Sequence, residues 1–141
     1  EEGKRVQVVF FFFFQKMLTT KKKLLSAIPA INKKRISALS TKVKQLEVNL
    51  DIDKLHQEAA ILILKHDVAE ELERIEFHLI ALSKELASKQ AKGKKIDFIL
   101  QELFRETSTL SVKLDKPILK DLALGMKLTV EEMREQAQNI E

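Results

Sequence analysis

The stretch DVAEELERIEFHLIALSKEL, residues 67–86, decides the fold of this chain. Its apolar residues recur at alternating spacings of four and three, namely at Val68, Leu72, Ile75, Leu79, Leu82 and Leu86. That spacing places them on one narrow face of an α-helix, as in a coiled coil or a long helical hairpin. Asp67 is placed to cap the helix, and Glu70 three residues later completes a capping-box pattern. The stretch therefore predicts a long amphipathic helix that needs a partner.

The chain before this helix shows helical periodicity from about residue 15 onward and no convincing strand alternation. We predict that a first helix ends at Ala27, because the residue before Pro29 is disfavoured in the α conformation. A second helix is predicted over residues 31–49 and a third over residues 53–65.

Two more helices are predicted after a loop at residues 89–95 that is centred on Gly93. The first covers residues 95–111, with an apolar arc formed by Ile96, Ile99, Leu100, Leu103, Phe104 and Leu110. In the last predicted helix, Asp115 is placed to cap the first turn and Pro117 lies within that turn. Gly125 lies in the interior of this helix, and a glycine there suggests a close helix crossing or a kink. Its apolar seam consists of Leu119, Leu122, Met126, Val130, Met133, Ala137 and Ile140. The predicted fold is all-α, with long antiparallel helices that form a hairpin or bundle with coiled-coil-like seams.

The composition agrees with a helical domain of modest size. The 141 residues include only 3 Gly and 2 Pro, while 33% are charged and 45% are hydrophobic. So few helix-breaking residues favour long helices over an all-β or disordered chain. The absence of cysteine excludes a disulfide framework and a cysteine metal site. The net charge of +4 is only a mild bias toward polyanions.

The run VVFFFFF at residues 8–14 is the oddest feature of the composition. It is far too short to span a membrane, which takes roughly 20 apolar residues. We expect a helix or strand that packs on other parts of the protein, and an aggregation hazard if it is exposed. A weaker alternative is a membrane-surface helix over residues 8–18, followed by the lysines at 21–23.

Two helices carry polar stripes that suggest chemistry. On the helix at 95–111, one stripe contains Asp97, Gln101, Arg105 and Ser108, and the next contains Glu102, Glu106 and Thr109. These are either ion pairs on a solvated face, such as Glu102 with Arg105, or carboxylates for a divalent cation beside a phosphate-binding arginine. On the helix at 67–86, the imidazole of His78 is either a general base or the partner of a neighbouring carboxylate. Neither spacing predicts a reaction by itself.

The order of four sequence blocks resembles the C-terminal half of the YicC-like bacterial endoribonucleases. The blocks are DIDKLHQE (51–58), DVAEELERIEFHL (67–79), GKKIDFILQELFRETSTL (93–110) and MREQAQNIE (133–141). The stretch EEGK at 1–4 is similar to the start of that family's central helical region. The resemblance implies a division into a central helical region at 1–50, after an N-terminal half that is absent here, and a C-terminal helical domain at 51–141.

The resemblance also implies a function. Members of this family are cytoplasmic, bind and cleave RNA and assemble as hexamers, with no role for a membrane. Dependence on a divalent metal ion, Mn²⁺ or Mg²⁺, is expected from the resemblance alone. We therefore expect an RNA-binding endoribonuclease component that hydrolyses phosphodiester bonds as part of a homo-oligomer.

The polar stripes that lie opposite the apolar seams, within or next to the matching blocks, supply the candidate residues for each role. The catalytic candidates are Glu102, Glu106 and His78. The metal ligands would be Glu71, Glu102 and Glu106. The RNA-binding residues would be Arg74, Arg105, Lys113, Arg134 and Gln138, along a polar surface built from the last three long helices.

Two departures from the family pattern leave alternatives open. Phe104 stands where the family usually has Asn, and Ser111, Val112 and Lys113 replace a Gly-Ser-Lys sequence. Phe104 lies at the edge of an apolar arc, so it can simply extend the core. The chain is alternatively a non-catalytic scaffold that oligomerises through its helices, or a truncated and inactive copy.

Overall fold

The computed structural model describes residues 2–47, 53–54, 56–57, 68–88 and 93–138, and among these it forms helices and no strand. Its long helices are α1 (Glu2–Glu47), α2 (Val68–Ala87), α3 (Gly93–Lys113) and α4 (Pro117–Ala137). The prediction of an all-α fold is confirmed. The predicted third helix at 53–65 and the cap Asp67 fall mostly or wholly outside the described residues.

The four helices form a closed ring in which each packs against two neighbours. α2 packs on α1 and α3, and α4 packs on α3 and α1. Only residues 114–116 connect α3 to α4, and so short a connection favours antiparallel neighbours. α1 and α2 are joined by Gln7, whose Nε2 donates to the carbonyl of Leu86 at 2.9 Å, and by an ion pair between Lys21 and Glu76. The result is an up-down-up-down bundle.

The core consists of the apolar seams that the helical spacing predicts. In α2, Leu86 is partly buried and all the other predicted seam residues are buried. In α3 and α4, Phe104, Leu122 and Ala137 are partly buried, Ile140 lies outside the described residues, and the remaining predicted positions are buried. Burial of this kind supplies about 25 cal/mol per Å² of apolar surface, so the seams drive the assembly.

α1 contributes to the core through its first part. Phe10, Met17 and Leu24 are fully buried at intervals of seven residues. Lys21 occupies a core-facing position between them and pairs with Glu76, and a polar residue at such a position helps to fix the register between helices. α1 has 46 residues and is about 70 Å long, more than twice the length of α2. Its described side chains beyond residue 28 are not buried.

The predicted helix end before Pro29 is wrong. α1 continues through this proline to Glu47, so the two predicted helices are one. A proline inside a helix removes one backbone hydrogen bond and costs about 3 kcal/mol. Ala27 and Ile28, in the preceding turn, pack against the core. We infer that this packing and the length of the helix on both sides outweigh the local cost.

Two predicted features of the connections are also wrong. The cap of α4 is Lys116, whose extended backbone precedes Pro117 at the first helical position, and it has no side-chain capping bond. Asp115 therefore does not cap the helix. Gly93 is the first residue of α3 and not the centre of a loop.

The phenylalanine run is divided between core and surface. Phe10 is fully buried, and Phe13 and Phe14 are partly buried against the core. Phe11 and Phe12 are 55% and 66% exposed because they lie on the outer face of the same helix. The exposed part borders a shallow groove lined by Gln7, Phe11, Phe14, Ser83, Leu86 and Ala87. None of the described helices is long and apolar enough to cross a membrane.

Gly125 does not mark a close helix crossing, contrary to the sequence-based expectation. A Cβ added there would meet no atom within 4 Å. We expect Gly125→Ala to raise the free energy of unfolding by about 1 kcal/mol, because alanine favours the helix interior over glycine. Urea denaturation followed by circular dichroism measures this. Gly93→Ala, equally open but at the first residue of α3, is the control and should gain less. A loss of stability at residue 125 would contradict the open environment.

Candidate active site and its two flanks

Three polar pairs join α2 to α3 along one side of the bundle: Glu71 with Lys113, His78 with Glu106, and Glu85 with Lys95. The paired atoms lie 3.1, 2.7 and 3.4 Å apart in that order. The α2 members are spaced by seven residues, or about two helical turns, so they share one flank. We call this set the polar ladder. It fixes the antiparallel register of the two helices.

The central pair is the only ladder pair that brings an imidazole to a carboxylate. Nδ1 of His78 lies 2.7 Å from Oε1 of Glu106 and 3.0 Å from the carbonyl oxygen of Arg74. A nitrogen with one hydrogen cannot donate well to both acceptors. Oε1 of Glu106 is buried and has no well-aligned hydrogen bond within the described residues, although it touches Nδ1. No described residue bonds to the other ring nitrogen, Nε2, and the His78 side chain is 21% exposed.

Burial raises the pKa of the Glu106 carboxyl above its ordinary value of 4.5. The nearby His78 opposes this shift by electrostatic attraction, and the carboxylates of Glu71 and Glu102 add to it by repulsion. Burial and repulsion outweigh the imidazole. A buried carboxyl with a raised pKa beside a partly exposed imidazole is the kind of acid–base pair found at functional sites.

The raised pKa has a consequence for stability. Well below pH 4.5 the Glu106 carboxyl is neutral in both the folded and the unfolded protein, so the effect of Glu106→Gln on the free energy of unfolding does not change with pH there. As the pH rises through the raised pKa, the wild type must ionise a buried group and loses stability relative to the variant. We therefore expect the free energy of unfolding of Glu106→Gln minus that of the wild type to increase with pH. Glu132→Gln, which removes an exposed carboxylate from α4, is the control; an equal pH trend there would contradict the prediction.

The predicted RNA-binding cations of the ladder flank are already engaged by carboxylates. Lys113 pairs with Glu71, whose side chain is only 6% exposed. Arg74 pairs with Glu70, and its Nη1 lies 3.5 Å from the same Glu71 carboxylate. These contacts neutralise much of the positive charge. Lys113 therefore helps to pair α3 with α2, whereas the contacts of Arg74 lie within α2.

The outer ridge of α3 carries the next predicted residues. Arg105 is 75% exposed, and its Nη1 lies 3.6 Å from Oε1 of Glu102. Gln101 donates to Asp97 at 3.3 Å on the same helix. The ion pair between Glu102 and Arg105 is one of the two alternatives that the spacing allowed. Exposed pairs of this kind contribute little to stability, about 0.2–1 kcal/mol.

The three predicted metal ligands do not form a metal site in the described structure. No group of three or more described His, Asp or Glu residues is arranged to hold a metal ion. Glu71 is bound by Lys113, Glu106 by His78, and Glu102 lies beside Arg105. The carboxylates therefore do not fit a three-ligand centre, and metal dependence stays a prediction.

The remaining predicted residues lie on the opposite flank, between α3 and α4. The guanidinium carbon of Arg134 lies 5.5 Å from the ring centre of Phe104, and Nζ of Lys127 lies 5.0 Å from it. The backbone N–H of Gln138 donates to the carbonyl of Arg134 at 3.3 Å at the end of α4. The predicted site residues are thus divided between two flanks, with the α3 ridge around Arg105 between them.

Sequence reasoning missed part of the second flank. Phe104 packs against the core as expected, but it also lies under two cations. Lys120 was not among the predicted residues. The signal that reveals it is the spacing of Lys120, Lys127 and Arg134, which are seven residues apart on α4 and therefore share one face.

Comparison with known proteins identifies the relatives of this bundle. Residues 24–141 match the family model of the C-terminal region of YicC-like endoribonucleases. The chain belongs to this family. Because the match covers most of the chain, the resemblance seen in the sequence blocks is confirmed. The match begins inside α1 and does not test the predicted division of the YicC-like chain at residue 50.

Two relatives carry the name probable endoribonuclease YicC. That from Haemophilus influenzae is 32% identical over 140 residues, which cover 99% of this chain and 49% of the relative. That from Clostridioides difficile is 37% identical over 92 residues, which cover 65% of this chain and 31% of the relative. The YicC-like chain described here thus spans about half the length, or less, of the curated relatives it matches.

Proposed function

We propose that this chain is the RNA-cleaving helical part of an endoribonuclease, with His78 as the general acid or base. The observation that carries the proposal is the pair of His78 and Glu106, in which a buried carboxyl with a raised pKa holds a partly exposed imidazole. The family match and the name of the relatives support RNA as the substrate.

The geometry suggests separate roles for the two members of the pair. The Glu106 side chain is 7% exposed and is too buried to meet a polymer, so it positions the ring and stabilises the imidazolium. The His78 ring, with Nε2 unbonded by described residues, can take a proton from an attacking hydroxyl or give one to the leaving oxygen. Glu102, which is partly exposed and lies four residues before Glu106 on α3, is the remaining catalytic candidate.

The wider features of the proposal rest on the family resemblance. They are a homo-oligomer, with a hexamer as the expected form, a cytoplasmic location and activity with Mn²⁺ or Mg²⁺. The unfavourable arrangement of Glu71, Glu102 and Glu106 means that no step is assigned to a metal ion here.

The test is incubation of the purified chain with an end-labelled structured RNA, with added Mn²⁺ or Mg²⁺ and with a chelator as control. The proposal is supported if the wild-type chain gives discrete cleavage products and the double variant Glu102→Ala, Glu106→Ala gives none. The double variant must keep its helical circular dichroism. Intact RNA after incubation with the folded wild-type chain would contradict the proposal. Cleavage that continues in the presence of the chelator would show that the reaction does not need a metal ion.

A second candidate is a scaffold without catalytic groups. It is favoured by the ladder itself, since Arg74 and Lys113 are bound by carboxylates of the same chain. A scaffold should form an oligomer that is insensitive to salt and should bind RNA poorly. The nuclease proposal instead requires RNA affinity that falls steeply as salt rises. Sedimentation and RNA binding over a salt series separate the two.

A further inference from the structure

Three cations line the groove between α3 and α4 at regular intervals. Lys120, Lys127 and Arg134 follow one another at intervals of seven residues on α4, so that each backbone position is about 10 Å from the next along the helix. Nζ of Lys120 donates to the carbonyl oxygen of Ser111 on α3 at 3.2 Å. The other two lie over the ring of Phe104. All three therefore face the same side of α3.

These cations differ from those of the ladder in what holds them. Within the described residues, no carboxylate lies within salt-bridge distance of Lys120, Lys127 or Arg134, whereas Arg74 and Lys113 are paired with buried or half-buried glutamates. An aromatic ring and a carbonyl oxygen orient a cation without cancelling its charge. A cation–π contact contributes only about 0.5–1 kcal/mol at such a site. The α3/α4 groove therefore carries a row of positive charges that are available to bind phosphate groups.

The α3 wall of the same groove offers hydroxyl oxygens. Ser108 donates its hydroxyl hydrogen to the carbonyl of Phe104, and Ser111 donates to the carbonyl of Ser108, each at 2.8 Å. Both side chains are partly exposed. A hydroxyl that donates in this way still has lone pairs that accept a hydrogen bond. The 2′-hydroxyl of ribose is a donor of that kind, and deoxyribose lacks it.

We propose that the α3/α4 groove is the track for a single strand of RNA. Lys120, Lys127 and Arg134 contact successive phosphates along the strand, and Ser108 and Ser111 accept hydrogen bonds from ribose. Phe104 is a positioning residue that holds two of the cations over the groove. This inference rests on the proposed function, because it takes RNA as the ligand. It moves the main RNA contacts from the ladder flank, where Arg74 and Lys113 lie, to the opposite side of α3.

The test compares two triple variants with the same loss of charge. The groove variant carries Lys120→Gln, Lys127→Gln and Arg134→Gln. The control carries Lys16→Gln, Lys22→Gln and Lys23→Gln, three exposed lysines of α1. Binding of fluorescent oligouridine is measured by anisotropy over a salt series. We expect the groove variant to bind roughly tenfold more weakly or worse, and its log–log salt slope to fall by about 2, since each single-strand phosphate contact contributes about 0.7. The control should keep the wild-type slope.

Phe104 has a test of its own. Phe104→Leu keeps an apolar side chain but removes the ring, and Phe104→Tyr keeps the ring. The leucine variant should weaken binding several-fold with an unchanged salt slope, because the cations remain but are no longer held in place. The tyrosine variant should restore wild-type affinity. Equal losses in both variants would show a packing role and overturn the positioning role.

The other outcomes also decide the matter. If the wild type binds oligouridine and both triple variants weaken it equally, the groove assignment is wrong while the proposed function stands. If the folded wild type does not bind oligouridine at low salt but cleaves the structured RNA, the single-strand track is wrong while the proposed function stands. If it neither binds oligouridine nor cleaves the structured RNA, both fail. Equal binding of oligodeoxyuridine overturns the ribose contacts, and preferential binding of poly-glutamate assigns the groove to an acidic protein.

If the groove triple variant loses its helical circular dichroism, the double variant Lys120→Gln, Lys127→Gln replaces it. The expected change in the log–log salt slope is then about 1.4.

Discussion

His78→Gln is expected to lower the rate of RNA cleavage by about 10²–10⁴-fold, the usual contribution of a general acid or base. The reason is that glutamine retains a polar group of similar reach but cannot take and release a proton near neutral pH. His78 is partly exposed on the flank of α2, so the bundle should remain folded. Single-turnover cleavage of an end-labelled RNA, with circular dichroism of the same sample, measures both quantities.

The matched control for this variant comes from the same ladder. Lys95→Gln breaks the third pair, with Glu85, two turns further along the flank. It should leave the cleavage rate unchanged while disturbing a similar cross-helix contact. Cleavage by His78→Gln at the wild-type rate would show that the imidazole has no role in the reaction. A similar loss in both variants would instead show that the ladder acts only by holding α2 against α3.

Phe10→Ala is expected to lower the free energy of unfolding by about 3–5 kcal/mol, the range for a buried aromatic side chain replaced by alanine. Phe10 is fully buried, contacts the rings of Phe13 and Phe14, and is the first of the α1 residues in the core. Its removal leaves a cavity in the core of the bundle. A loss of this size is a large share of the stability of a small domain.

The control lies two residues away in the same run. Phe12 is 66% exposed, so Phe12→Ala should change the free energy of unfolding by less than about 0.5 kcal/mol. Urea denaturation of both variants gives the comparison directly. Equal losses at the two positions would mean that the outer face of the run is buried too, and a stable Phe10→Ala variant would contradict the packing of α1 in the core.

The helices and their buried faces followed from local spacing. The three/four spacing of Leu72, Ile75 and Leu79 is enough to predict both a helix and its inner face, because burial requires the apolar residues on one side. The prediction was wrong at Pro29, where the low helix propensity of proline predicts that the helix ends but α1 continues. It failed again at Asp115, since the cap of α4 is decided by the backbone of the connection at Lys116.

The candidate site was predicted less completely than the fold. Sequence reasoning named His78 and Glu106 separately but had no means of bringing them together, since they lie on different helices. It grouped Arg74, Lys113 and Arg134 on one surface, although the first two belong to the α2/α3 flank and the third to the α3/α4 flank.

What the sequence by itself determined is the set of amphipathic helices, their apolar faces and membership in the YicC-like family. These depend on periodicity and on ordered blocks of residues, both of which are local to the chain. What only the tertiary structure decided is which charges meet. The same side chain type is neutralised at Lys113 by a buried glutamate and left charged at Lys127 over a ring. The reason is that pairing and burial depend on the neighbouring helix, and helical spacing specifies a face without specifying what packs against it.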